Sequence, residues 1–147
     1  MGKVLKPFIL VAEDDSDDKF LLQTIFEEKS FDVPLEFVSN GVELLDYLDN
    51  IKKDELNLTY PVFILLDLNM PKMDGRQALK YLKESISFKK IPIVVFSTTK
   101  SDTEIRRCYE LGANTYVVKP SNFDTLCNTI ENISIYWMKV AEVPTNL

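Results

Sequence analysis

The sequence has no histidine at all, which excludes several chemistries at once. Ser-His-Asp and Cys-His nucleophile systems, His-ligated metals and a phosphohistidine carried by this chain all need the missing side chain. Cysteine is scarce: Cys108 and Cys127 both fall at apolar positions of amphipathic patterns. Buried free thiols in a reducing cytosol are expected, with a disulfide the weaker alternative. No apolar run is long enough to span a bilayer, and the N-terminus lacks a signal-peptide pattern, so a cytoplasmic protein with no membrane partner is expected. Basic runs are absent too. Lys and Arg number 17 against 23 acids, a net charge of −6, which disfavours direct nucleic-acid binding. Neither an internal repeat nor a low-complexity segment is visible.

Apolar residues make up 46% of the 147 and charged residues 27%, the proportions of an ordinary globular chain. One domain over 1–147 is expected, with its core at about 8–137 and a loose tail to Leu147. The organising stretch is Val62 to Gly75. Its five apolar residues in a row, Val62 to Leu66, lie between Pro61 and Pro71 and read as a strand buried on both faces. The run ends in Asp67, and Asp74-Gly75 follows as the start of a helix. Other strands are read at Phe8–Ala12, Leu35–Val38, Ile91–Phe96 and Thr115–Val118. Between and after them come amphipathic helices: one opened by Ser16-Asp17-Asp18, one capped by Asn40, one over Gly75–Ser85, one behind a Ser101/Glu104 capping box, and one capped by Ser121. Asp17 and Asp18 suit a first helical turn, where the dipole favours negative charge, and that is the reading preferred for both. Asp49 to Tyr60 reads as a long surface connection with a frayed helical start. Five strand–helix alternations argue a doubly wound parallel sheet of order 2-1-3-4-5.

In that topology the carboxyl ends of four strands share one rim, where such folds keep their chemistry. Read in turn, the strand ends give Glu13 and Asp14, then Asp67, Ser97 and Lys119. Each unscreened carboxylate pair at about 4 Å costs roughly 4 kcal/mol at an effective dielectric near 20, so the cluster needs a cation. All-oxygen ligands without histidine or thiolate point to Mg²⁺. A metal-bound carboxylate beside an ammonium and a hydroxyl suits phosphoryl transfer, with Asp67 as the attacking group. Taken singly, Ser97 reads as a hydroxyl serving the backbone and Lys119 as a surface lysine, while for Asp67 a loop cap is the weaker alternative. Their common position is what favours the joint reading.

These residues carry a resemblance. Glu13-Asp14, the run Asp67-Leu-Asn-Met-Pro-x-Met-Asp-Gly75, Ser97, and Tyr116-Val-Val-Lys119-Pro120 occur in an order that resembles the receiver domain of two-component response regulators. The interval from acid to lysine, 119 − 67 = 52 residues, also fits. The resemblance spans roughly Phe8 to Trp137. It implies a flavodoxin-like, CheY-like (βα)5 fold and a phosphoaspartate at Asp67. Asp14 and Asp67 would bind Mg²⁺ directly with the main-chain carbonyl of Asn69, and Glu13 would act through a water. Ser97 and Lys119 would hold phosphoryl oxygens, Tyr116 would be the switch aromatic, and the bond before Pro120 would be cis. Glu13 stands where many members have Asp, Ser97 replaces the commoner Thr, and Thr98 is bulkier than the usual neighbour.

The implied phosphodonor is a sensor histidine kinase or a histidine phosphotransfer protein. The chain ends soon after its last helix, so output is expected through a downstream protein target, homodimerisation or onward relay. The moving face would comprise helix 102–111, strand 115–118 and helix 123–137. The connection at Asp49–Tyr60 resembles that of stand-alone regulators paired with bacterial phytochromes or hybrid kinases. The protein is expected to catalyse only its own phosphorylation and dephosphorylation. Three rival readings are weaker. A haloacid-dehalogenase-type phosphatase wants Asp at position 69, which is Asn. A flavodoxin-like nucleotide carrier would not place Glu13-Asp14-Asp15 in its phosphate loop. A degenerate receiver would not keep the whole constellation.

Overall fold

The computed structural model describes residues 7–53 and 59–144. Five strands alternate with five helices: β1 (Ile9–Ala12), α1 (Ser16–Glu28), β2 (Leu35–Val38), α2 (Gly41–Lys53), β3 (Ile64–Leu66), α3 (Gly75–Glu84), β4 (Ile93–Ser97), α4 (Asp102–Glu110), β5 (Thr115–Val118) and α5 (Phe123–Ile135). All strand pairs are parallel and the sheet order is β2-β1-β3-β4-β5, the topology expected from the alternation.

Side chains alternate across a strand, so each apolar run feeds two cores. Leu10, Ala12, Ile64, Leu66, Ile93 and Val95 face one way, against Leu44 and Leu48 of α2, Ala78, Leu79 and Leu82 of α3, and Cys108 of α4. Ile9, Val11, Phe63, Leu65, Val94 and Phe96 face the other way, against Leu22, Ile25 and Phe26 of α1 and Ile130 of α5. Three central strands with apolar residues on both faces are why the sequence shows unbroken runs there rather than alternation. Both cysteines are free, Cys108 buried and Cys127 partly so.

Several boundaries differ from the sequence reading for local reasons. Helix α2 runs on through Lys53, so the connection is helical from Asp49 to Lys53, and Thr59 and Tyr60 at its far end are buried. Residues 54–58 between them, and the tail residues 145–147, lie outside the described residues. The cap of α1 is Asp15, whose side chain accepts the N–H groups of Asp17 and Asp18. Asn122 rather than Ser121 caps α5, its Oδ1 taking the Thr125 N–H at 3.1 Å. Asn and Ser are equal as caps, so the chain path out of Pro120 decides between them. Beyond Ile135 the chain widens into a single π-turn, Tyr136–Val140, closed by Ala141 N–H on the Tyr136 carbonyl at 2.7 Å.

The expected cis bond before Pro120 is not found: among the described residues there is no cis peptide, and Lys119–Pro120 is trans. Trans is the lower isomer of an X-Pro bond by about 0.5–1 kcal/mol. Here it already lets Lys119 donate its N–H to the Ser97 carbonyl at 2.8 Å while the side chain reaches Glu13, so nothing local demands the costlier isomer.

Candidate functional site

The site lies at the carboxyl ends of β1, β3, β4 and β5. Parallel pairing sets Ala12 beside Leu66, Leu66 beside Val95, and Ser97 beside Val118, so the residues that follow fall on one rim. The Asp67 N–H bonds the Ala12 carbonyl at 3.0 Å, and the Glu13 N–H bonds the Val38 carbonyl at 2.9 Å. These bonds carry the ladder one residue past each strand and fix the acids by their backbones.

The segment after Asp67 folds back tightly. Gly75 donates its N–H to the Leu68 carbonyl at 2.9 Å, and Gly41 donates to the Met73 carbonyl at 2.8 Å. A Cβ on Gly75 would lie 2.3 Å from the Asp67 carbonyl oxygen, so only glycine lets the start of α3 sit against the acid's own backbone. Asp74 caps α3 in a full capping box with Gln77.

Lys119 joins the strands electrostatically. Its Nζ lies 2.6 Å from Glu13 Oε1, 3.2 Å from Asp18 Oδ2 and 3.8 Å from Asp67 Oδ2, with only 13% of the side chain exposed. Burial opposes its charge, but Glu13, Asp67 and Asp18 outweigh that and raise its pKa. Glu13 is shifted strongly. Burial pushes its carboxyl up to about 8, Lys119 pulls it back, and neighbouring Asp67 pushes it further up.

Glu13, Asp14 and Asp67 each present a carboxylate oxygen, and these atoms lie within 4.8 Å of one another. Asp14 is exposed, whereas Glu13 and Asp67 are buried. An oxygen-only donor set of this charge fits a hard divalent cation such as Mg²⁺ or Mn²⁺. Asn69, just beyond Asp67, is exposed between the buried Leu68 and Met70.

Ser97 is fully buried at the end of β4, and its Oγ accepts the Thr99 N–H at 3.3 Å. The bland reading of that hydroxyl, a partner for the backbone, is therefore present in the structure. Tyr116 on β5 is half-buried. Its hydroxyl donates to the Thr99 carbonyl at 2.8 Å, and its N–H donates to the Tyr109 hydroxyl at 3.0 Å. Burial raises the Tyr116 pKa, and the Ser97 hydroxyl acts against the shift. The β4–α4 connection is thus held from beneath by both.

Glu13, Asp14, Asp67 and Lys119 are brought together as expected, with Ser97 at the neighbouring strand end. Two features escaped the sequence reading. Asp18 joins the site through Lys119, a partner 101 residues away. Arg76 at the start of α3 pairs with Glu104 in the first turn of α4 and lies 3.6 Å from Asp74. Glu104 matched half of a capping box. Ser101 does accept the Glu104 N–H, at 3.4 Å, but the Glu104 carboxylate is given to Arg76.

Comparison with known proteins gives a consistent neighbourhood. A family model described as the response regulator receiver domain matches residues 9–131. The probable methanogenesis regulatory protein FilR2 of Methanothrix harundinacea is 38% identical over 141 residues, covering 93% of this chain and 90% of that protein. Response regulator Rcp1 of a Synechocystis strain is 32% identical, covering 92% of each chain. The Mn²⁺-bound form of response regulator Rcp1 superposes with a TM-score of 0.83 at 31% identity, covering 94% of this chain and 99% of that one. The phosphorylated cyanobacterial phytochrome response regulator RcpA superposes with a TM-score of 0.84 at 33% identity, covering 95% and 99%.

Proposed function

Because the chain belongs to the response regulator receiver domain family of two-component signalling, we propose that Asp67 is its phosphoacceptor and that phosphorylation switches the α4–β5–α5 face. The observation that carries the reading is the Lys119 ammonium held between Glu13 and Asp67, 2.6 and 3.8 Å away, at the mouth of a three-carboxylate cluster.

Receiver domains typically bind Mg²⁺, and a related structure is described as Mn²⁺-bound. In this chain Asp14, Asp67 and the carbonyl of Asn69 would hold the ion, with Glu13 behind a water. The ion would supply positive charge to the equatorial oxygens of the transferring group. The chain's own residues do the rest. An Asp67 carboxylate oxygen forms a bond to phosphorus as the bond from phosphorus to the donor's imidazole nitrogen breaks, and the electron pair stays on that nitrogen. Lys119 stands beside the accepting oxygen and offers its charge to the phosphoryl group. Ser97 would turn its hydroxyl from the Thr99 N–H toward a phosphoryl oxygen. The buried rim limits water and strengthens these interactions.

The phosphodonor is a histidine on a sensor kinase or phosphotransfer protein. Likeness to phytochrome regulators favours a light-sensing or hybrid kinase as its source. The product adds about two negative charges. They act on the β4–α4 connection through Ser97, and Tyr116 bonds the same connection at Thr99. Two pre-existing arrangements of that connection are therefore biased, and a protein target or a second copy reads the change. The protein's only catalysis is of its own phosphorylation and hydrolysis.

Incubation with acetyl phosphate and Mg²⁺ should add one phosphoryl group, and Asp67→Asn should abolish it. A label that persists in Asp67→Asn overturns the assignment, and so does labelling indifferent to chelation of the metal.

A further inference from the structure

One carboxylate at the site belongs neither to the cation cluster nor to the phosphoacceptor. Asp18, in the first turn of α1, places Oδ2 3.2 Å from Lys119 Nζ. An ammonium has three donors. Here one goes to Glu13 at 2.6 Å and one to Asp18, while Asp67 at 3.8 Å lies beyond hydrogen-bonding reach. The closest partners of the lysine are thus Glu13, just past β1, and Asp18, on α1, with Asp67 the most distant of the three. Asp18 is held in place from below, since the Asp15 side chain accepts the Asp17 N–H at 2.8 Å and the Asp18 N–H at 3.1 Å.

Asp18 also lies outside the set of acids that gather for a cation, Glu13, Asp14 and Asp67. A bound ion would weaken the hold of Glu13 and Asp67 on Lys119 more than that of Asp18. It borders a groove of about 360 Å³ between α1 and α5 into which Lys119, Thr98 and Leu126 also face. Resting on the phosphoacceptor reading above, we infer that Asp18 is a positioning residue: it competes with the phosphoryl group on Asp67 for the Lys119 ammonium, and so sets how firmly the phosphorylated state is held. Loss of the Asp18 charge frees the lysine to turn toward Asp67. Asp18 pairs with Lys119 and stands outside the acids that gather for a cation, so its effect is to pass through Lys119.

The test is a beryllofluoride titration at saturating Mg²⁺, read by fluorine NMR on the full chain. The trifluoride stands for the phosphoryl group on Asp67. Asp18→Asn should bind about two- to fivefold more tightly than wild type, the range open to a part-exposed ion pair. Asp17→Asn removes the same charge one residue away from an exposed position with no link to Lys119, and should leave affinity unchanged. Asp18→Glu, which keeps the charge, should return at least half of the difference. In a Lys119→Met background the Asp18→Asn effect should vanish, the signature of coupling through that side chain. Equal affinities for wild type and Asp18→Asn, an equal gain from Asp17→Asn, or a gain that survives in Lys119→Met each overturn the inference. Wild-type protein that fails to bind beryllofluoride overturns the phosphoacceptor reading and this inference with it. Wild-type binding with an unaltered Asp18→Asn overturns this inference alone.

Discussion

Glu13 shows most clearly what single residues contribute here. Its carboxyl is buried and pushed up to about 8 from an ordinary 4.5, despite an ammonium at 2.6 Å. A folded pKa above the unfolded one means the native state keeps a proton that the unfolded chain has lost. In metal-free protein this group therefore favours folding least above about pH 8, and the penalty fades as pH falls toward 4.5. Stability should decline as pH rises through that window, by at most about 1.4 kcal/mol per pH unit from this one site. Denaturant melts in chelator across that range should show the decline in wild type and much less of it in Glu13→Gln. Excess Mg²⁺ should flatten the wild-type curve, because the ion takes over the work of neutralising the rim. A wild-type curve as flat as that of Glu13→Gln would contradict the account.

Elements position these residues, and two contacts do much of that positioning. The α3 start is pressed against the Asp67 backbone, where a Cβ on Gly75 would lie 2.3 Å from a carbonyl oxygen. Neither backbone can yield without moving the acid. Gly75→Ala should cost about 1–3 kcal/mol, the usual penalty for overpacking, and should slow labelling of whatever protein still folds. Chemical denaturation and acetyl phosphate kinetics check the two halves. The second contact is Arg76 with Glu104, which ties α3 to the first turn of α4. The pair is partly exposed, so Arg76→Ala should cost only about 0.5–1 kcal/mol globally. Its local effect should be larger: backbone amides of α4 should exchange faster while those of β1 and β3 do not change. Uniform acceleration would show that the pair is not specific to α4.

The same elements show what was legible in the sequence. Runs such as Val62–Leu66 and Ile93–Phe96 announce strands because both their faces are covered. Asp67 and Glu13 were found because each ends such a run, and Lys119 because it ends the partly buried edge strand Thr115–Val118; a strand end is visible in one dimension. The contacts of Asp18 and Arg76 were not, since their partners lie 101 and 28 residues away and no local pattern marks them. Asp18 has an adequate local explanation at a helix start, and that explanation hid the second role. The helix limits at Lys53 and Asn122 turn on near-equal local preferences that tertiary packing decides. The bond before Pro120 was misjudged because the family pattern outweighed the ordinary preference for trans.

At the scale of the molecule, the rim is one end of a sheet whose two cores are independent layers. Charge placed on Asp67 meets α1 through Lys119 and Asp18, and the β4–α4 connection through Ser97, Thr99 and Tyr116. On the proposed reading, both of these regions would respond to one event. Among the described residues no helix is long and apolar enough to cross a membrane. The most direct test of the whole account is to locate the phosphoryl group chemically. After acetyl phosphate and Mg²⁺, borohydride reduces an aspartyl phosphate to homoserine, which mass spectrometry of peptides can place. Homoserine at position 67 alone, lost on chelation of the metal, is the predicted result; homoserine elsewhere, or none while phosphoryl label is retained, would contradict it.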